Sequence, residues 1–169
     1  MNEVLRLWNG ESEEAALRAM VACCGAHRWA EAMVALRPIE NIRDLSEAAG
    51  RVWSTMEAED WLEAFGSHPR IGERKGAHAG AGSASWAQQE QASTQSAADA
   101  VLAELATGNA AYEERFGFTY IVCATGKSAE EMLAILNRRL KNDRAAELVE
   151  AAEQQRQILQ IRLGKWLVE

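Results

Sequence analysis

Phe118-Thr119-Tyr120-Ile121-Val122-Cys123 is the one run in this chain with strong β character, aromatic and β-branched residues in succession after Gly117. A strand needs a partner for its backbone hydrogen bonds, and one isolated run cannot make a sheet. The run therefore reads as an isolated, buried, extended segment near 118–125. Its backbone groups must find partners elsewhere. Around it, only Pro38 and Pro69 interrupt 169 residues, and alanine is abundant. Both facts favour helix. The expected fold is all-α, a single compact domain over 1–169 with about eight helices by period and punctuation.

Working outward, Ser85-Trp86-Ala87-Gln88 has the Ser-x-x-Gln spacing of a helix cap. It predicts a long helix from Trp86 to about Ala106, closed by Gly108, then a short helix from Asn109 to Arg115. On the other side, Ser128-Ala129-Glu130-Glu131 is a capping box, and the helix it opens carries Met132, Leu133, Ile135, Leu136 and Leu140. A last helix runs from Asp143 to about Trp166, with Leu148, Val149, Ala152, Ile158, Leu159, Ile161, Leu163 and Leu167 as its apolar positions. Towards the N-terminus, Asn9-Gly10 signals a turn after Met1–Trp8. Ser12 caps a helix reaching Cys24, with acidic Glu13 and Glu14 in its first turn. Trp29–Leu36 is a short helix stopped before Pro38. Asp44 and Glu47 have capping spacing, so a helix is expected from Leu45 to about Met56. Another, from about Glu57 to Phe65, places Trp61, Leu62 and Phe65 on one face. Trp29, Trp53 and Trp61 are expected in the core.

The net charge of −7 argues against nonspecific nucleic-acid binding. Three cysteines, with Cys23 and Cys24 adjacent, make no disulfide framework and fit a reducing, cytoplasmic setting. No basic start followed by an apolar core suggests a signal peptide. The apolar runs are too short to span a bilayer, so no membrane partner is expected.

Chemistry points to Phe65-Gly66-Ser67-His68-Pro69-Arg70-Ile71-Gly72-Glu73. Gly66 suits a left-handed helix end, and Pro69 pushes His68 away from helical angles. A histidine held just past a helix end, with both charge signs beside it, can serve in proton transfer or be an incidental loop residue. Arg70, Arg74 and Lys75 equally suit substrate contact or solvation. Thr125-Gly126-Lys127-Ser128 resembles the end of a phosphate loop, but Ile121 stands where that motif needs glycine. Gly80-Ala81-Gly82 lacks a preceding strand. Cys23 and His27 lie one helical turn apart, but no second pair has ligand spacing, so no metal site is expected. What survives is His68, with Glu90 and Gln91 in the second turn of the predicted long helix and Arg162 on the last. A carboxylate meeting an imidazole can orient it and set its charge. Arg162 interrupts Ile161-Arg162-Leu163, either as a substrate contact or as a side chain snorkelling at the core edge.

Four motifs in this order carry a family resemblance: His68-Pro69-Arg70-Ile71-Gly72-Glu73, Glu90-Gln91, Phe116-Gly117-Phe118 through Ala124, and Lys127-Ser128-Ala129-Glu130-Glu131-Met132. Leu140-Lys141-Asn142-Asp143 and Ile161-Arg162-Leu163 also fit. Together they resemble OHCU decarboxylase, over a span from Leu7 to about Leu167. OHCU is 2-oxo-4-hydroxy-4-carboxy-5-ureidoimidazoline, an intermediate in urate breakdown to allantoin. The resemblance implies an all-helical, cofactor-free homodimer acting on this small molecule. It places the catalytic histidine and its glutamate partner on His68 and Glu90. It places substrate contacts on Pro69, on Ala87, Gln88, Gln89, Glu90 and Gln91, on Tyr120, Ile121, Val122, Cys123 and Ala124, and on Arg162.

Overall fold

The structure, a computed structural model, describes residues 1–71, 86 and 99–169. Among the described residues there are eight helices and no strand. They are α1 (Glu3–Gly10), α2 (Glu13–Cys23), α3 (His27–Ala35), α4 (Ile42–Trp53), α5 (Ala58–Phe65), α6 (Asp99–Phe116), α7 (Ala129–Arg139) and α8 (Arg144–Trp166). The fold is all-α. Residues 119–124 carry no helix and no strand, as expected of the isolated run. None of the helices is long and apolar enough to cross a membrane.

The chain divides into two compact units, 1–64 with 156–169, and 65–155. In the first, α1 to α4 bury Leu5, Trp8, Met20, Cys23, Trp29, Met33, Leu45 and Trp53. Trp8 and Trp29 turn their indole N–H groups onto the carbonyls of Ala16 and Ala49, both at 3.1 Å. The large apolar rings are thus buried without an unpaired donor. The C-terminal part of α8 adds Ile158, Leu159, Leu163 and Trp166, and Trp166 meets Trp8 edge-on at 5.9 Å. Trp61 is only half-buried, unlike Trp29 and Trp53, and its indole N–H has no partner.

Two helix boundaries differ from expectation. Asn9-Gly10 is not a turn after α1 but its last residues. Asn9 instead clasps Ile39, donating to its carbonyl at 2.8 Å and accepting from its N–H at 2.9 Å. Helix α4 begins at Ile42, because Asn41 is its N-cap and Asp44 its third residue. Asn41 Oδ1 accepts from Asp44 N at 2.9 Å, and Asn41 Nδ2 donates to Asp44 Oδ2 at 2.9 Å. A side chain reaching the third helical N–H satisfies one of the orphan donors, and here asparagine takes the place expected of aspartate.

In the second unit, α6 is one helix through Gly108 and Asn109 rather than two. Gly108 is there for proximity, not termination. A Cβ at this position would lie 2.5 Å from Leu136 Cδ2, so glycine lets α7 approach α6 closely. The real stop is Gly117, whose φ of +82° needs no Cβ penalty and whose N–H bonds Glu113 O at 2.8 Å. Trp86 is helical and buried, and the rest of the helix expected before Asp99 lies outside the described residues. Ser128 caps α7 as expected, accepting from Glu131 N at 3.1 Å. On α8, Val149 is 60% exposed and does not belong to the core.

Candidate active site

His68 follows α5 directly, on a turn closed by its N–H to Phe65 O at 3.2 Å. The left-handed cap expected at Gly66 does not form. Among the described glycines only Gly117 and Gly126 have positive φ. His68 and Pro69 are half-buried. Arg70 is exposed and pairs through two nitrogens with Glu113 on α6, at 2.6 and 3.0 Å. One turn earlier on α6, Asn109 donates to Ile71 O at 3.0 Å. Two side chains of α6 thus hold the two residues that follow His68-Pro69.

Helix α8 supplies two residues the sequence reading missed. Gln155, 1% exposed, places Oε1 2.7 Å from His68 Nε2. Its neighbour Gln154 accepts from the backbone N–H of Cys123 at 2.9 Å. Consecutive side chains of one helix therefore hold the imidazole and the extended segment. The clue was present in the register. Leu148, Ala151, Ala152 and Gln155 recur at three- and four-residue steps, so Gln155 is a polar side chain on a buried stripe.

The segment Tyr120–Ala124 is buried throughout. Its backbone is less bare than expected. Ile121 O accepts from Arg139 Nη1 at 2.6 Å, Cys123 O from Lys127 Nζ at 2.7 Å, and Ala124 O from Lys127 N at 3.0 Å. Among the described residues, the Val122 N–H and C=O and the Ala124 N–H make no hydrogen bond. The Tyr120 hydroxyl donates to Met132 O at 3.0 Å.

Beneath the segment lies a buried charge network that no motif announced. Arg139 and Glu147, both wholly buried, form an ion pair, with Arg139 Nε 2.7 Å from Glu147 Oε1. Tyr112 Oη donates to the same carboxylate oxygen at 2.5 Å, and Asn142 Nδ2 donates to its other oxygen at 3.0 Å. The guanidinium also covers the ring of Tyr120 at 4.9 Å. Burial opposes the Arg139 charge, but the Glu147 hydrogen bond and charge hold it above the usual arginine range. Burial likewise pushes the Tyr112 and Tyr120 hydroxyls well up, so both stay neutral donors. The register again held a hint, because Met132, Leu136 and Arg139 share the buried face of α7.

Arg162 is 1% exposed, so it does not snorkel to the surface. Burial pushes the Cys24 thiol up to about 12 and the Cys23 thiol further, and the Arg162 charge offsets only part of this. Both cysteines are core residues. Glu90, with Ala87, Gln88, Gln89 and Gln91, lies outside the described residues, as do Arg74 and Lys75.

The family model for OHCU decarboxylase matches residues 9–164. The 2-oxo-4-hydroxy-4-carboxy-5-ureidoimidazoline decarboxylase of Amia calva is 31% identical over 127 residues, covering 75% of this chain and 73% of that one. The uric acid degradation bifunctional protein TTL of Arabidopsis thaliana is 33% identical over 144 residues, 85% of this chain but only 44% of that protein. The matched part of this chain thus spans less than half the length of the Arabidopsis relative. Among solved structures, an OHCU decarboxylase crystallised in the presence of (S)-allantoin superposes with a TM-score of 0.77 at 29% identity, over 94% of this chain and all of that one. An (S)-allantoin synthase at 22% identity shares the fold, with a TM-score of 0.70 over 96% of this chain and 53% of that one. The order of motifs, the helical fold and the family match over nearly the whole length agree, and the chain belongs to the OHCU decarboxylase family.

Proposed function

We propose that this chain is a carboxy-lyase that decarboxylates OHCU to (S)-allantoin in urate degradation, without a cofactor. The observation that carries the reading is the pair Gln154 and Gln155, which fixes the Cys123 backbone and the His68 imidazole from adjacent positions on α8. That arrangement holds an imidazole and the backbone of Cys123 against the same stretch of helix, which supports a proton-transfer role for His68. The family match across residues 9–164 supports treating 1–169 as one working domain. The expected homodimer and cytoplasmic setting belong to the same proposal.

The chemistry asks little of the protein beyond placement. When CO2 leaves, the pair from the broken C–C bond passes toward the neighbouring C=N of the substrate. The nitrogen of that C=N takes up one proton, the ring hydroxyl gives up its own to become a carbonyl, and one proton is delivered to the former C=N carbon from one face. His68 and Glu90 handle these protons. The Tyr120–Ala124 backbone, with Pro69 and the 87–91 stretch, orients the ureido and carboxylate groups. Holding reacting groups in one geometry and meeting developing charge with fixed dipoles are the main sources of rate here.

The test is His68→Asn, assayed on freshly generated OHCU by the circular dichroism of (S)-allantoin. Wild-type protein should produce one enantiomer rapidly. The variant should keep its far-UV spectrum and lose about 10²-fold or more in turnover, the usual range for an acid–base group. Binding of OHCU by the wild type without turnover would identify a non-catalytic relative instead.

A further inference from the structure

Arg139 is wholly buried under the extended segment, and stability alone is a poor reason for a charge there. A buried ion pair often stabilises a fold no better than apolar side chains of the same volume. We propose that Arg139 is a positioning residue for the reaction, fixing the Ile121–Val122 peptide in the orientation that meets substrate. The inference rests on the reading of Tyr120–Ala124 as a substrate contact, and adds which side chain sets the backbone there.

The atoms set the roles in this contact. A guanidinium only donates and a carbonyl only accepts, so Arg139 Nη1 donates to Ile121 O, at 2.6 Å. The guanidinium is itself held. Its Nε donates to Glu147 Oε1 at 2.7 Å, and the rings of Tyr120 and Tyr112 lie 4.9 and 5.9 Å from its central carbon. Glu147 is held in turn by Tyr112 Oη from α6 and by Asn142 Nδ2 from the loop before α8. A peptide is planar, and this one is trans, so its C=O and N–H point to opposite edges. A tie on Ile121 O therefore fixes the direction of Val122 N–H, because a flipped peptide would turn an N–H onto the guanidinium. The next peptide is tied by its other group, since Cys123 N–H donates to Gln154 Oε1 at 2.9 Å. Both peptides that contain Val122 are thus tied to side chains, one of α7 and one of α8. Arginine suits this role better than lysine. Its fork reaches Glu147 and Ile121 O from separate nitrogens, and a charged donor polarises the peptide it binds, which strengthens Val122 N–H as a donor.

Ile121-Val122 is the only Ile-Val pair in the chain. Full-length protein labelled with 13C at the isoleucine carbonyl and 15N in valine therefore gives a single carbonyl–amide cross-peak. Wild type should turn over OHCU, and saturating (S)-allantoin should move that peak. Arg139→Lys keeps a cation for Glu147 but not the fork. It should keep its far-UV spectrum, shift the peak of the ligand-free protein, and lose about tenfold or more in kcat/KM per folded molecule. Tyr112→Phe weakens the network but leaves Arg139 on Ile121 O. It should melt lower, yet hold the peak near its wild-type position and kcat/KM within about twofold. That contrast separates positioning from stability. Wild-type kcat/KM or an unmoved peak in Arg139→Lys overturns the proposal, and so does an equal loss of kcat/KM in Tyr112→Phe. If Arg139→Lys does not fold, Arg139→Met with Glu147→Leu, which buries no lone charge, takes its place with the same expected and refuting results. A normal Arg139→Lys beside an active wild type whose peak responds to (S)-allantoin refutes the role of Arg139 alone. An active wild type whose peak ignores (S)-allantoin removes the substrate contact at this segment, and the proposal with it. A wild type without turnover refutes the proposed activity as well.

Discussion

Replacing Arg139 by methionine tests the network beneath the extended segment. Methionine keeps much of the length and loses the charge. It leaves the Glu147 carboxylate wholly buried without its cation, and Ile121 O without the donor now at 2.6 Å. Breaking one side of a buried ion pair costs roughly 3–5 kcal/mol. A buried carbonyl left bare adds to this, on the order of 1 kcal/mol or more. A net loss of about 4 kcal/mol is then a large part of a domain stability of roughly 5–15 kcal/mol. With a urea slope of about 2 kcal/mol per molar, the midpoint should fall by about 2 M. The double variant Arg139→Met with Glu147→Leu removes both charges. It should recover part of the loss but not all, because Tyr112 Oη loses its acceptor and Asn142 Nδ2 loses one of two. The cycle should show a coupling of roughly 1–3 kcal/mol. Urea melts followed by far-UV circular dichroism, and separately by tyrosine absorbance, supply the numbers. A single-variant shift under about 0.5 M, or additivity within about 0.5 kcal/mol, would refute the claim that this pair is a mutually dependent unit.

Other consequences follow from single contacts. Gly108→Ala gains helix propensity but drives a Cβ to 2.5 Å from the buried Leu136 Cδ2. A net loss of about 1 kcal/mol and a melting point lower by roughly 2–4 °C are expected, and a rise in melting point would show that Leu136 has room to move. Glu150 is held below its ordinary 4.5 chiefly by the Arg138 hydrogen bond. Its contribution is complete above that value and is lost as pH falls through the lowered folded one, so Glu150→Gln should flatten the acid side of the stability curve. The effect should be under about 1 kcal/mol, since the pair is partly exposed, and an unchanged acid slope would rule it out. Cys24 keeps its proton to about 12 in the folded chain, against an ordinary 9.0, so the unfolded chain releases it first. That contribution is full below pH 9.0 and fades as pH rises. In a Cys123→Ser background, Cys23 and Cys24 should react with a thiol reagent at pH 8 only as fast as the chain opens. Immediate labelling of the folded protein would contradict their burial.

Where the sequence spoke clearly, the signal was local. The extended preference of the lone β-like run, the scarcity of proline and the Ser128 capping box act within a few residues, and each appears as read. The misreadings share one cause. Gly108 looked like a helix stop, yet its role is set by Leu136 on another helix. Asn9-Gly10 looked like a turn, yet Asn9 is engaged by Ile39, thirty positions away. A single chain reads out its own backbone preferences, but not which side chain will arrive from elsewhere.

The same division runs through the candidate site. The bend at His68-Pro69 and the extended stretch from Tyr120 to Ala124 are determined by the sequence, because proline geometry and an unpaired β-like run constrain their own residues. The family resemblance, too, needed only the motifs in order. What only the tertiary structure decided is how those pieces are held, by Gln155 on the imidazole, Gln154 on Cys123 N, and Arg139 on Ile121 O. Glutamine and arginine on a helix are ordinary surface residues until packing removes the water around them. Once buried, their polar atoms must be matched, and the partners that match them are chosen by the fold.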